Sequence, residues 1–264
     1  MSIATDAGLL GTIVACTRRV TAVREGACPR DVLERALWRR PRGSAFEAAL
    51  RERAAPRVIA ECKRRSPSRG ILRQDYRPAE HARAYAAAGA AALSVLTEPA
   101  FFDGAVDHLR AVRDAVDLPL LRKDFIVSEY QLLEAAVHGA DAALLIVGAL
   151  DPSTLRQLVA ACGGVGLAAL VEVHDADELG VATDAGARII GVNSRNLRTL
   201  QVDPGVLDAL AASIPRGVTA VAESGIRSRE DIARLTGAGY HAFLVGERLI
   251  AAPDPGAALR ELMA

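Results

Sequence analysis

Lysine is nearly absent from this chain: among its 32 basic residues only Lys63 and Lys123 are not arginine. Arginine stays protonated in proteins, whereas a lysine pKa can be drawn toward neutrality, so these two are the cations able to give up and take back a proton. Net charge is absent too, with 32 basic against 32 acidic residues, which leaves no field to hold nucleic acid or an anionic membrane surface. No run reaches the roughly 18 apolar residues that span a bilayer, and no basic start leads into an apolar leader. A soluble, cytoplasmic protein is expected. The 4 cysteines, Cys16, Cys28, Cys62 and Cys162, form no CxxC pair and have no nearby His, which argues against a disulfide framework or a zinc site. His81, His108, His138, His174 and His241 are scattered without metal-ligand spacing, so no metal is expected. GxSxG, Walker A and a basic-aromatic face are missing as well. What remains is small-molecule chemistry on a sizeable core, since 51% of the 264 residues are hydrophobic.

From about residue 57 short apolar runs alternate with Ala-rich helical stretches whose ends are often marked by Gly. The expected strands are 57–62, 91–96, 118–125, 141–147, 167–173, 188–193, 219–224 and 241–246. Four helix-to-strand junctions echo one another as AAGAAALSV, HGADAALLI, AGARIIGV and AGYHAFLV, like repeated βα units. Near-continuous apolar strands belong to a parallel sheet covered by helices, and eight such units close into a (β/α)8 TIM barrel, an α/β fold. The alternative, an open doubly wound sheet, calls for a GxGxxG turn after its first strand, and RVIAECKRRSPSRG has none. The amphipathic stretches before residue 50, such as DVLERALWRR, do not join the repeat. The expectation is a single domain, 1–264, with a helical extension over 1–50 packed against a barrel over 51–264.

In such barrels the chemistry sits at the C-terminal ends of the strands. Glu61, Lys63, Lys123, Glu172, Asn193, Arg195, Glu223 and Ser224 all fall at or just beyond those ends, and both lysines are among them. A lone Glu at a strand end is more often a cap or a surface charge than a catalyst; three of them with two lysines, an Asn and an Arg on one rim point to a site. The stretch LLRKDFIV places three charges in an apolar run. Strand side chains alternate, so Leu121, Lys123 and Phe125 share one face and Arg122 and Asp124 the other. If Lys123 points into the barrel mouth, the other two face the helix layer and pair with neighbours there. The loops after the seventh and eighth strands, ESGI and VGER, occupy the usual phosphate cradle of these barrels. Gly225 and Gly246 would let the backbone approach an anion, and Ser66 would add a hydroxyl.

The segments AECKRRSPSRG, SVLTEPAFFDG, LLRKDFIV, LLIV, LVEVH, GVNSRNL, VAESGI and FLVGE, in this order, closely resemble the indole-3-glycerol phosphate synthase family of tryptophan biosynthesis, from about residue 45 to the C-terminus. The resemblance implies a ring closure of 1-(2-carboxyphenylamino)-1-deoxyribulose 5-phosphate with loss of CO2 and water and no cofactor. It implies Lys123 as general acid to the substrate carbonyl, Glu172 as acid/base in later steps, and Lys63, supported by Glu61, as holder of the carboxylate and a donor during dehydration. The division of labour among these groups stays open. Asn193, Arg195, Glu223 and Ser224 match positions that contact the substrate's hydroxyls or organise the charges. Phe102, Phe125, Leu144 and Leu197 match the wall around the anthranilate ring. Ser66, Gly225, Gly246 and Glu247 match phosphate positions, Glu247 through its backbone N–H because its carboxylate would repel the dianion. Arg65 and Arg248 stand where the family has small residues. Expected partners are a small-molecule phosphorylated substrate, no nucleic acid and no membrane, with the chain a monomer or weak homo-oligomer. A Schiff-base aldolase, a barrel that only binds a phosphorylated metabolite, and a copy acting on a substituted anthranilate are the competing readings.

Overall fold

The computed structural model describes residues 8–264, so the start of the expected extension lies outside the described part. Eight parallel strands close into a barrel: β1 (Val58–Cys62), β2 (Ala92–Leu96), β3 (Leu120–Lys123), β4 (Ala142–Ile146), β5 (Ala168–Val173), β6 (Ile189–Asn193), β7 (Thr219–Glu223) and β8 (Ala242–Val245). Each falls inside its expected run, shorter by a residue or two at the ends. Closure is made by β1, whose Ile59 lies opposite Ala92 of β2 while its Val58 lies opposite Phe243 of β8.

The period-two pattern divides the core into two shells. Val58, Ala60 and Cys62 of β1, with Leu120 of β3 and Val171 and Val173 of β5, pack outward under the helices. Ile59, Leu121, Leu144, Leu170, Val221 and Leu244 fill the interior. The charges of LLRKDFIV follow the same phase. Arg122, fully buried, points outward: one Nη lies 2.8 Å from Asp124 and the other 2.8 Å from Glu134 on the helix Glu129–Val137. Lys123, one residue on, points into the mouth.

Three helices precede the barrel: α1 (Leu9–Ala27), α2 (Arg30–Ala36) and α3 (Gly43–Arg51). They pack on it as expected, but at opposite ends. Phe46 and Leu50 of α3 join the interior shell from below, and α3 touches β2, β5 and β7. Its first residue must be glycine, since a Cβ on Gly43 would lie 2.5 Å from the amide nitrogen of Ala168. Ile13 of α1 joins the same shell from the mouth, with Leu9 and Leu10 beside it. The amphipathic reading of DVLERALWRR overran: the helix stops at Ala36, and Trp38 lies half exposed between the guanidinium groups of Arg39 and Arg110, its indole N–H donating to the Val137 carbonyl at 2.9 Å.

The buried acid Asp141, at the start of β4, binds this connection to the barrel floor. It faces Arg39 and Arg113, and accepts from the backbone N–H groups of Arg42 and Leu120. A buried carboxylate is tolerable when paired and hydrogen-bonded in this way.

Candidate active site

A cavity of about 480 Å³ opens at the C-terminal ends of the strands. Every rim residue singled out in the sequence lines it: Glu61, Lys63, Lys123, Glu172, Asn193, Arg195, Glu223 and Ser224. So do the expected wall residues Phe102, Phe125, Leu144 and Leu197, and the expected phosphate residues Ser66, Gly225, Gly246 and Glu247.

At its centre Lys123 Nζ sits 2.7 Å from Glu172 Oε2 and 2.9 Å from Glu223 Oε2. The two carboxylates arrive from β5 and β7, across the barrel from β3, because inward phase at a strand end brings distant residues together. Lys63 Nζ lies 2.5 Å from Glu61 Oε1, a second pair on β1 and its extension. Gly246 has an unforeseen role here: a Cβ on it would lie 2.3 Å from Glu61 Oε1, so the missing side chain makes room for that carboxylate. Ser224 and Gly225 are both left-handed, at φ 65° and 73°, and turn the chain sharply after β7. Asn193 accepts the Arg195 backbone N–H at 2.9 Å, and the Arg195 guanidinium is held at the mouth by the Leu200 carbonyl at 3.1 Å and by Glu247.

The Glu247 carboxylate is taken up by two guanidinium groups, 2.8 Å from Arg69 and 3.4 Å from Arg195. Its charge is thereby offset beside the loops expected to hold phosphate. Arg65 reaches sideways to Asp103 at 3.6 Å, where Arg64 already sits at 2.6 Å, and ties the loop after β1 to the loop after β2. Arg248 leans to Glu261. On the apolar side the Phe102 and Phe125 rings lie 6.1 Å apart, tilted by 38°.

Burial and charge set the protonation states. Burial draws the Lys123 ammonium down, but Glu172, Glu223 and Glu61 together outweigh it and hold the pKa above the ordinary lysine value. The lowered lysine that its rarity suggested is therefore not what this cluster holds. For Glu172, burial opposes ionisation, and Lys123 and His174 overcome it, so this carboxylate stays ionised well below the usual range. Glu223 goes the other way. Burial dominates over Lys123, the nearby Glu172 adds repulsion, and Glu223 is raised to about 7. Two carboxylates sharing one cation titrate as a pair, with one pushed down and one pushed up.

Sequence reading missed two groups. Leu9, Leu10 and Ile13 line the cavity from α1, and no pattern in the first fifty residues says which end of a barrel a helix will cover. His174, read as one of five scattered histidines, lies 3.4 Å from Glu172 Oε1 and 3.0 Å from Glu178 Oε2. The signal was present: His174 is two residues after Glu172, so the alternation that placed Lys63 beside Glu61 places it too. Among the described residues no group of three or more His, Cys, Asp or Glu side chains is arranged to hold a metal.

Comparison with known proteins agrees with this architecture. Solved structures with the same fold include a 3-hexulose-6-phosphate synthase, 19% identical with a TM-score of 0.61 over 78% of this chain and 97% of that one. The sequence family model described as indole-3-glycerol phosphate synthase matches residues 10–262. An indole-3-glycerol phosphate synthase of a Parafrankia species is 50% identical, over 93% of this chain and 91% of its own length. Indole-3-glycerol phosphate synthase 2 of Streptomyces coelicolor is 48% identical, over 97% of this chain and 99% of its own. This chain belongs to the indole-3-glycerol phosphate synthase family.

Proposed function

We propose that the chain closes the pyrrole ring of 1-(2-carboxyphenylamino)-1-deoxyribulose 5-phosphate, releasing CO2 and water to give indole-3-glycerol phosphate, with Lys123 as the proton donor. Family membership carries the reaction. The observation that carries the residue roles is one cation clamped by two buried carboxylates between an aromatic wall and a pair of glycine turns flanked by arginines.

The aryl carbon bearing the carboxylate attacks the sugar carbonyl, and Lys123 protonates the oxygen. A strongly held ammonium serves here because that oxygen turns from a weakly basic carbonyl into an alkoxide as the bond forms. Loss of CO2 then restores the aromatic ring. Glu172, ionised and inward, is the base for the hydrogen removed during dehydration. Lys63, beside Glu61, holds the substrate carboxylate and donates to the leaving hydroxyl. Phe102, Phe125, Leu144 and Leu197 enclose the ring, joined by Leu9, Leu10 and Ile13. Ser66 and the backbone at Gly225, Gly246 and Glu247 receive the phosphate, while Asn193, Arg195 and Ser224 take the hydroxyls.

A Schiff-base mechanism requires a neutral amine. The two carboxylates that keep Lys123 charged disfavour it. The described residues contain no helix long and apolar enough to cross a membrane. We read the chain as one cytoplasmic domain over 1–264, because α1 and α3 complete the two ends of a single interior, and as a monomer or weak homo-oligomer. Incubating the purified protein with the carboxyphenylamino-deoxyribulose phosphate should give indole fluorescence. Folded protein that produces none refutes the assignment.

A further inference from the structure

In the ring closure proposed above, on which the following rests, an aryl carbon must meet a carbonyl carbon while Lys123 reaches the oxygen. Such a step is sensitive to where the ring lies, since a misplacement of about 1 Å costs roughly 10²-fold. The ring is bounded by Phe102 and Phe125, whose centroids are 6.1 Å apart. Neither stands on a strand. Phe102 ends a single turn of helix, Pro99–Phe102, in the loop after β2, and Phe125 lies two residues past the end of β3. Connecting segments are more mobile than the elements they join, so these two backbones need a hold of their own.

Two buried side chains provide it. Glu98 is 2% exposed, and its carboxylate accepts three successive backbone N–H groups, from Ala100 at 2.9 Å, Phe101 at 2.7 Å and Phe102 at 3.2 Å. Its own carbonyl accepts the Gly104 N–H at 2.8 Å, so residue 98 grips the turn at both ends. Gln131, fully buried on the helix Glu129–Val137, serves the other ring in the same way. Its Nε2 donates to the Phe125 carbonyl at 3.2 Å, and its Oε1 accepts the Val127 N–H at 2.8 Å. The two grips are joined. Thr97, beside Glu98, donates its hydroxyl to Asp124 Oδ2 at 2.6 Å, and Asp124 Oδ1 accepts the Phe125 N–H at 2.8 Å. The Thr97 N–H donates to the Lys123 carbonyl at 3.1 Å, which brings the backbone of the proton donor into the same frame. Burying polar groups is costly unless they are bonded, and here the bonds go to the backbone of the aromatic wall.

Helix capping alone does not account for Glu98. Two other helices, Pro152–Val165 and Pro255–Met263, also open with an acid before proline, and there the acids are the exposed aspartates Asp151 and Asp254. Asp151 accepts the N–H groups of Ser153 and Thr154, two and three residues on, and Asp254 accepts that of Ala257, three residues on. An aspartate is therefore enough to start such a helix in this chain. The extra methylene of Glu98 carries its carboxylate to the fourth residue on, which is Phe102. We propose that Glu98 and Gln131 are positioning residues that fix the Phe102 and Phe125 wall relative to Lys123, and so decide how the aryl ring of the substrate is presented for attack. Neither lines the cavity; both act through the backbone of residues that do.

The test is Glu98→Asp in the full chain. By the precedent of Asp151, the shorter acid keeps the bonds to Ala100 and Phe101, and with them the helix start, but releases the Phe102 N–H. Steady-state turnover, followed by indole fluorescence, is compared with competitive inhibition by inorganic phosphate, which enters the anion loops without meeting the wall. The frame predicts that kcat/KM falls about tenfold or more while the inhibition constant of phosphate stays within about twofold. A smaller fall in kcat/KM would overturn it and leave Glu98 as a helix cap. Phosphate affinity falling in step with kcat/KM would overturn it as well, because a general loosening of the mouth would then be the cause. Should Glu98→Asp not fold, Gln131→Met carries the same comparison, since it keeps the side-chain length and removes both bonds to the backbone at Phe125 and Val127. Wild-type protein that forms no indole product at all would instead overturn the ring-closing reading and this inference with it.

Discussion

Replacing Lys123 by arginine and, separately, by methionine distinguishes its proton from its charge. In the wild type its ammonium lies 2.7 Å and 2.9 Å from two carboxylates that are almost wholly buried. Methionine keeps the length and apolar stem but takes the shared cation from both carboxylates, leaving Glu223 none and Glu172 only the longer contact with His174. Removing one partner of a buried pair costs about 3–5 kcal/mol, because an uncompensated charge stays behind. For a chain of this size that is roughly 6–20 °C in Tm, at about 2–4 °C per kcal/mol. Arginine keeps the charge and the pairing, so its stability should stay close to wild type. In turnover the two should look alike. A guanidinium does not release its proton at any working pH, so both variants should lose about 10²- to 10⁴-fold in kcat, the share typical of a positioned acid. Indole fluorescence measures the rate, and thermal melting followed by circular dichroism measures the stability. Lys123→Arg turning over within tenfold of wild type would refute the proton-transfer role and leave Lys123 as a fixed charge. Lys123→Met melting with the wild type would refute the ion cluster as described.

Three further outcomes follow from particular contacts. His174 has a folded pKa raised to about 10 from an ordinary 6.5. Its contribution to stability is fully present below pH 6.5 and is lost as pH rises through about 10, so wild type should lose more stability than His174→Gln between pH 6 and pH 10, read from denaturant midpoints. Gly246→Ala puts a Cβ 2.3 Å from Glu61 Oε1 and drives that carboxylate off Lys63. A misplacement of about 1 Å costs roughly 10²-fold, so kcat/KM should fall by about that factor with the circular dichroism spectrum unchanged; full activity would sink the account of that glycine. Gly43→Ala meets the Ala168 backbone at 2.5 Å, far from the chemistry. It should destabilise the protein by about 1–3 kcal/mol in urea melts while kcat stays within twofold.

How much of this was legible in advance can be traced through individual residues. The strands were readable because their hydrophobicity is continuous and each is bounded by Gly, Pro or charge. Alternation then placed Lys123 inward and Arg122 outward, and the Arg122 pairs with Asp124 and Glu134 bear out the second half of that reading. The same rule reaches His174, but only when carried one step past the last hydrogen-bonded residue of β5. The position of α1 was not legible. Leu9, Leu10 and Ile13 form an ordinary apolar stripe, and a stripe records that a helix is buried, not against what. Gly246 was readable as a place of close approach, but whether ligand or side chain fills the space depends on a neighbouring strand 185 positions earlier in sequence, where Glu61 waits. The protonation states were the least legible, since they depend on which three charges share one small volume.

The outward half of LLRKDFIV has a practical bearing on anyone who would cut or graft this barrel. Glu134, held by Arg122 from β3, is also 3.1 Å from Arg24 of α1. The N-terminal helix, which stands outside the βα repeat, is thus wired through Arg24 and Glu134 to Arg122, the residue next to Lys123. A shortened gene lacking α1 would strip Glu134 of one of its two cations and loosen the back of the strand that aims Lys123, so trimming the N-terminal helix would be felt at that lysine from behind.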